Sequence, residues 1–240
     1  MKKIFITGST TGLGYLTGKK LIEDGNEVYL HARNHAKAVK LREQLPGIKG
    51  IVVGDLSKLE EVKQIAQQVN SWGKMDAIIQ NAGVYTNDAN LTYRVNVAAP
   101  YVLTCLIKQP QRLIYVASGM HIGAQLEIDH IENIPDYSSS KLAVMLLMKK
   151  VARAFDNTAV NAVDPGWVPT RMGGSMANDD LEEGYLGQVW LSQSDDPLAQ
   201  KSGNCYYHRQ PEKYDQRVDD EKLQDALCEK LAVLTKIKLK

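Results

Sequence analysis

A tyrosine and a lysine four positions apart, Tyr137 and Lys141, follow Ser118 in this chain. If Tyr137 opens a helix, Lys141 falls one turn further along on the same face. A free phenol has a pKa of about 10, too high for efficient proton exchange at neutral pH. A neighbouring ammonium favours phenolate, so the pairing predicts a lowered phenol. Such a group can give a proton to a carbonyl oxygen or take one from an alcohol. Ser118, at the end of an apolar run, would add a second hydrogen bond to the same oxygen while charge develops on it. Tyr-x-x-x-Lys on its own is more often a surface helix pair, so its weight here comes from what precedes it.

What precedes it is Thr7-Gly8-Ser9-Thr10-Thr11-Gly12-Leu13-Gly14, directly after the apolar Ile4-Phe5-Ile6. Gly8 permits a tight turn, and Gly12 and Gly14 let backbone and helix approach a pyrophosphate. A helix N-terminus offers unpaired N–H groups and a partial positive charge to phosphates. The spacing, Gly-x-x-x-Gly-x-Gly, departs from the commoner Gly-x-Gly-x-x-Gly, but the strand–turn–helix context favours a dinucleotide. The next apolar run, Glu27 to Ala32, ends without the carboxylate that a ribose 2′-hydroxyl would require. Arg33 instead offers a cation suited to a 2′-phosphate, which predicts NADP(H) in preference to NAD(H).

Elements that could hold these groups together are visible in the hydrophobic pattern. Strands are expected at Lys3–Thr7, Glu27–Ala32, Gly50–Val53, Ala77–Gln80, Arg112–Ala117, Ala159–Val163 and Asn204–Tyr207, with helices starting near Gly12, His35, Lys58, Leu91, Tyr137 and Leu181. This alternation predicts one α/β domain, a doubly wound parallel sheet of about seven strands with helices on both faces. Two long connections, Gly119 to Asp136 and Trp167 to Asp180, follow strand ends on the side where open α/β sheets bind ligands. Residues 1–210 are expected to form the dinucleotide-binding catalytic domain. Residues 211–240 are expected to form a helical tail packed on it, with a helix from Asp219 to Lys236 burying Leu223, Ala226, Leu227, Leu231 and Leu234.

Composition narrows the function classes. In 240 residues, 44% are hydrophobic and 24% charged, as in an ordinary globular domain rather than a disordered chain. A net charge of +1 argues against a dedicated nucleic-acid surface. Cys105, Cys205 and Cys228 lack metal-like spacing and read as reduced packing residues, and no metal site is expected. The apolar stretch after Met1-Lys2-Lys3 is too short for a targeting segment, and no run is long enough to span a bilayer. A cytoplasmic location without membrane association is therefore expected. His121, Trp190 and the leucine-rich stripe from Leu142 read as ordinary loop or core residues. Met172, Met176 and Trp167 could line an apolar lid, and Lys236, Lys238 and Lys240 read as a solvated end.

Taken in order, these motifs resemble the short-chain dehydrogenase/reductase family over roughly residues 1–210. The glycine turn matches the family's cofactor turn. Asp55-Leu56 resembles its adenine contact, Asn81-Ala82-Gly83 the motif after its fourth strand, and Asn96 the asparagine that supports a water chain to the lysine. Ser118, Tyr137 and Lys141 fall on the catalytic positions. Pro165-Gly166-Trp167-Val168-Pro169-Thr170 is similar to the segment that holds the nicotinamide side, with Pro165, Gly166, Val168 and Thr170 as contacts. Arg33, the long Ser118–Tyr137 connection and Asp164-Pro165-Gly166 look most like the NADP-linked branch of retinol dehydrogenases and bacterial ketoreductases. Gln80 and the short Val84–Leu91 connection depart from that branch.

The resemblance implies a carbonyl reductase in which Tyr137 supplies the proton and Lys141 also bonds the nicotinamide ribose. The alternatives are a retinoid- or sterol-type alcohol dehydrogenase using the same site, and a non-catalytic NADP-binding redox sensor. The complete Asn96, Ser118, Tyr137 and Lys141 set favours an enzyme. A small-molecule carbonyl or alcohol is the implied partner. The family also pairs into homodimers or homotetramers through the helices near Leu91 and Tyr137, a face the tail could cover.

Overall fold

The structure, a computed structural model, describes residues 1–239; Lys240 lies outside them. Its centre is a sheet of β1 (Lys3–Ile6), β2 (Glu27–Ala32), β3 (Gly50–Val53), β4 (Ala77–Gln80), β5 (Arg112–Val116), β6 (Ala159–Asp164), β7 (Cys205–Tyr207) and β8 (Gln210–Pro211). The spatial order is β3-β2-β1-β4-β5-β6-β7-β8, parallel throughout except for β8. The strands are apolar on both faces because helices cover both. Ile4 and Ile6 join one core and Phe5, between them, joins the other.

One layer holds α1 (Gly12–Glu23), α2 (His35–Gln44) and α7 (Leu181–Gln193), which bury Leu21, Leu41, Val189 and Leu191. The opposite layer holds α3 (Leu59–Ser71), α4 (Ala89–Thr92), α5 (Ala99–Leu106) and α6 (Tyr137–Ala154). Outside it, α8 (Glu221–Thr235) packs on α6. Lys150 and Arg153 of α6 reach Asp225 at 2.7 Å, and Arg153 also reaches Glu221 at 2.7 Å. Exposed pairs of this kind fix orientation more than they add stability.

The expected fold is present, with one addition to the sheet and two corrections to its helices. The sheet has an eighth strand, because His208 and Arg209 adopt positive φ and turn the chain back on β7. The helix expected near Leu91 is composite: a π-helical turn, Tyr93–Ala98, joins α4 to α5. The buried stripe of α8 is rotated from the one expected. Leu227 and Leu231 are buried, but Ala226 and Leu234 face outward, and Gln224, Cys228 and Thr235 take the inner positions. Hydrogen bonds make that burial tolerable, since Gln224 donates to the Val218 carbonyl at 2.8 Å and accepts from Arg153 at 3.0 Å.

Of the residues given bland readings, the stripe from Leu142 is core and Trp190 packs edge-on against Tyr206 at 5.0 Å. All three cysteines are free. Lys236 and Lys238 are exposed. No helix among the described residues is long and apolar enough to cross a membrane.

Candidate active site

Most of the expected site residues converge at the C-terminal ends of β1, β4, β5 and β6, with Arg33 and Asp55 at the ends of β2 and β3, on the side where this sheet class opens a crevice. Gly8 and Gly12 take φ of +66° and +59°, conformations that L side chains rarely adopt. A Cβ at Gly8 would lie 2.8 Å from Ala82 Cα, and one at Gly14 would lie 2.6 Å from the Gly8 carbonyl oxygen. Asn81 closes the turn by donating to the carbonyls of Thr7 and Gly8 at 3.0 and 3.1 Å, and the Ala82 N–H donates to Thr7 Oγ1 at 3.0 Å. Asn81-Ala82-Gly83 is therefore stitched to the glycine turn.

Ser9 faces inward, donating to the Ile6 carbonyl at 2.7 Å, which leaves Thr10, Thr11, Gly12 and Leu13 on the more open side. The N-terminus of α1 has no side-chain cap and no acidic residue in its first turn, so its N–H groups remain available to an anion. Thr170 comes across from the loop after β6 and would contact a Cβ on Gly12 at 3.7 Å, which brings Pro165, Gly166 and Val168 to the same crevice. Arg33 is exposed at the end of β2, and its charge is felt by Asp55. Asp55 accepts from Ser57 at 2.8 and 2.9 Å, whereas Leu56 turns into the core. The site thus has a glycine cradle, a free helix end and a cation, features that fit a phosphorylated dinucleotide.

Asp136 caps α6 by accepting the Ser139 N–H at 2.8 Å, which fixes the first turn that carries Tyr137. Ser118 lies close enough to Tyr137 to favour its phenolate, and Lys141 Nζ lies 5.2 Å from the Tyr137 ring centroid. Lys141 is buried and donates to the Val116 carbonyl at 2.7 Å. A Cβ on Gly83 would lie 3.8 Å from Lys141 Nζ and 3.5 Å from Asn96 Oδ1. Asn96, in the π-helical turn, clasps the Val84 backbone at 2.8 and 3.0 Å and donates to Ser140 Oγ at 3.0 Å. Asn96, Ser118, Tyr137 and Lys141 are therefore brought together.

The phenol departs from the sequence expectation. Burial, then the Asp164 carboxylate, holds Tyr137 above the usual tyrosine range; the Ser118 hydroxyl works the other way. Burial lowers Lys141 to about 8.

The chain matches the family described as short chain dehydrogenase over residues 2–181. It belongs to that family. Among curated short-chain dehydrogenases, chyC of Penicillium rubens is 39% identical over 212 residues, covering 81% of this chain and 82% of its own. A crystal structure of an uncharacterised Mycobacterium paratuberculosis protein superposes with a TM-score of 0.84 at 23% identity, over 100% of this chain and 95% of that one. The Pseudomonas aeruginosa RhlG/NADP active-site complex gives 0.71 at 22% identity, over 85% and 93%. As a short-chain dehydrogenase, the protein is an oxidoreductase of a family that uses nicotinamide cofactors.

Four residues beside the crevice were not foreseen. His31 is buried under the glycine turn. Tyr85 is exposed and stacks obliquely on Tyr137, with centroids 5.2 Å apart. His121, read from sequence as a plain loop residue, is buried: Nδ1 contacts the Ser118 carbonyl at 2.6 Å, and Nε2 accepts the Asp215 N–H at 3.2 Å. Asp164 touches the turns on both sides of the crevice. The one available signal was compositional, a carboxylate closing the otherwise apolar Ala159–Val163 run. Met172, Met176 and Trp167 are exposed on the loop after β6.

Proposed function

We propose that this short-chain dehydrogenase is an NADP(H)-dependent carbonyl reductase. The observation that carries the reading is Lys141 Nζ 5.2 Å from the Tyr137 ring centroid, with Ser118 close enough to favour the phenolate, at the end of a crevice that begins with the glycine turn. When bound, the nicotinamide supplies the hydride. Ser118 and Tyr137 hold the carbonyl oxygen, and Tyr137 Oη gives up its proton as that oxygen gains charge. Lys141 stabilises the phenolate left behind and bonds the nicotinamide ribose.

Holding the phenol above its ordinary value keeps it protonated in the resting site but makes it a weaker acid, so the Lys141 ammonium is needed to stabilise the phenolate as the proton leaves. Thr10, Thr11, Gly12 and the α1 N-terminus receive the pyrophosphate. Arg33 receives the 2′-phosphate, which supports NADP(H) over NAD(H).

The test is consumption of NADPH, followed at 340 nm, against a panel of aldehydes and ketones with Tyr137→Phe as control. NADPH binding without turnover of any carbonyl would retire the reductase reading. Oxidation confined to retinoid or sterol alcohols would replace it with the dehydrogenase alternative.

A further inference from the structure

Asp164 is the last residue of β6 and is buried. Its Oδ2 accepts the Gly119 N–H, the residue after Ser118, and its Oδ1 accepts the Gly166 N–H at 2.8 Å. A Cβ on Gly119 would lie 3.0 Å from that carboxylate, so the approach depends on glycine there. One side chain therefore ties the turn that presents Ser118 to the Pro165–Gly166 turn on the cofactor side. Lys141 forms no ion pair among the described residues, and its single hydrogen bond goes to a neutral carbonyl. That carbonyl belongs to Val116, which pairs with Val163, the neighbour of Asp164, so the Asp164 carboxylate is the nearby charge that favours the ammonium.

We propose that Asp164 is a positioning residue for this site, setting the distance between the serine turn and the nicotinamide turn and serving as counter-charge to Lys141. The proposal rests on the NADP(H) reading of the crevice. The groups around this carboxylate are Tyr137 and Lys141 from α6, the Gly119 N–H after β5, Cys205 and Tyr207 from β7, and Glu212 after β8. Tyr85 faces Tyr137 from the loop after β4, and Asp179 meets the same Gly166 turn.

A buried ammonium without a counter-charge loses its proton at lower pH. A phenol relieved of a neighbouring carboxylate also ionises at lower pH. Reduction needs both protons in place. Removing the Asp164 charge therefore moves the alkaline limb of carbonyl reduction to lower pH through both groups at once. A brace without an electrostatic role would lower the rate and leave the limb where it was.

The experiment follows NADPH fluorescence titrations and, in parallel, the pH profile of kcat between pH 6 and 10. It compares the intact protein with Asp164→Asn, Asp164→Ser and Asp164→Glu. Because burial and Asp164 raise Glu212 to about 7, every protein is also prepared with Glu212→Gln to remove that titration. Asp164→Asn and Asp164→Ser should bring the midpoint at which NADPH affinity falls down by about one pH unit, with the kinetic limb moving alongside. Asp164→Glu keeps the charge on a longer arm, and should keep the midpoint while lowering kcat.

An unmoved midpoint in both Asp164→Asn and Asp164→Ser, or equal movement in Asp164→Glu, would overturn the proposal. The binding readout needs no substrate. A shifted NADPH midpoint in a protein that reduces nothing would therefore retire the reductase reading and keep this one. No NADPH binding at any pH would end both.

Discussion

His31 Nδ1 accepts the N–H of Gly8 at 3.0 Å, so a histidine from β2 holds the first residue of the glycine turn. Its other nitrogen, Nε2, lies 2.8 Å from the Gly54 carbonyl and must be the protonated one. The imidazole thus joins the ends of β1, β2 and β3 in one tautomer, and it has to be neutral to do so. Burial lowers its pKa below the usual 6.5 in agreement.

Replacing His31 with Leu should weaken NADPH binding about tenfold, because the Gly8 N–H is left unpaired at a cost of about 1–3 kcal/mol. Asn at this position can accept the same N–H and should recover part of the loss. The sign of the pH effect follows from the lowered value: the stabilisation is complete above pH 6.5 and is lost as pH falls through the folded-state pKa. Melting temperatures from pH 5 to 8 should show that acid-side loss in the natural protein and a smaller one in His31→Leu. Equal acid-side slopes would assign the effect to other groups.

Tyr137→Phe should lower turnover by about a hundredfold to ten-thousandfold while leaving NADPH affinity within about twofold, since the ring keeps its packing and the proton donor is gone. Stopped-flow reduction with a saturating carbonyl substrate measures the first quantity, and fluorescence titration the second. A folded Tyr137→Phe protein with an ordinary rate would remove Tyr137 from the chemistry.

Arg33→Ala should weaken NADPH by about one to two powers of ten, the equivalent of a charge-assisted bond of about 1.5–3 kcal/mol, and leave NADH nearly unchanged. Added salt should narrow the difference, because Arg33 is exposed and screened. Equal weakening of both cofactors would mean that Arg33 shapes the loop rather than reading the phosphate.

Glu212 is raised to about 7 by burial and then by the Asp164 carboxylate. The folded chain therefore holds this proton more tightly than the unfolded chain, and stability falls as pH rises from about 4.5 through 7. Glu212→Gln removes the penalty. At pH 8 it should unfold with about 1 kcal/mol more stability than the natural protein, a figure reduced for the residue's partial exposure, and at pH 4 the two should coincide. Urea denaturation at the two pH values provides the comparison.

The strands and the glycine turn were legible because each is written in local sequence: a short apolar run, a turn residue, a helix start. The meeting of Ser118, Tyr137 and Lys141 was legible through spacing and order. The raised value of the phenol was not, because it depends first on burial and then on Asp164, a residue distant in sequence that the parallel pairing of β5 with β6 brings alongside. His31 and His121 were missed for a similar reason. Their partners Gly8, Gly54 and Asp215 lie far away in the chain, and a histidine in a strand or loop announces none of them. The stripe of α8 was misplaced because leucines were taken as the guide. In the folded protein, Gln224 and Thr235 satisfy their own hydrogen bonds and can occupy inner positions.

The π-helical turn from Tyr93 to Ala98 carries a consequence for how this region tolerates change. Such a turn holds one residue more than an α-helical path of the same rise. Each residue of α-helix advances the direction of its side chains by about 100°. Deleting a single residue between Asn90 and Val95 would convert the turn to ordinary helix and swing Asn96 away from Val84 and Ser140, even though every side chain in the site was retained. Along this stretch it is the count of residues, more than their identity, that aims the carboxamide.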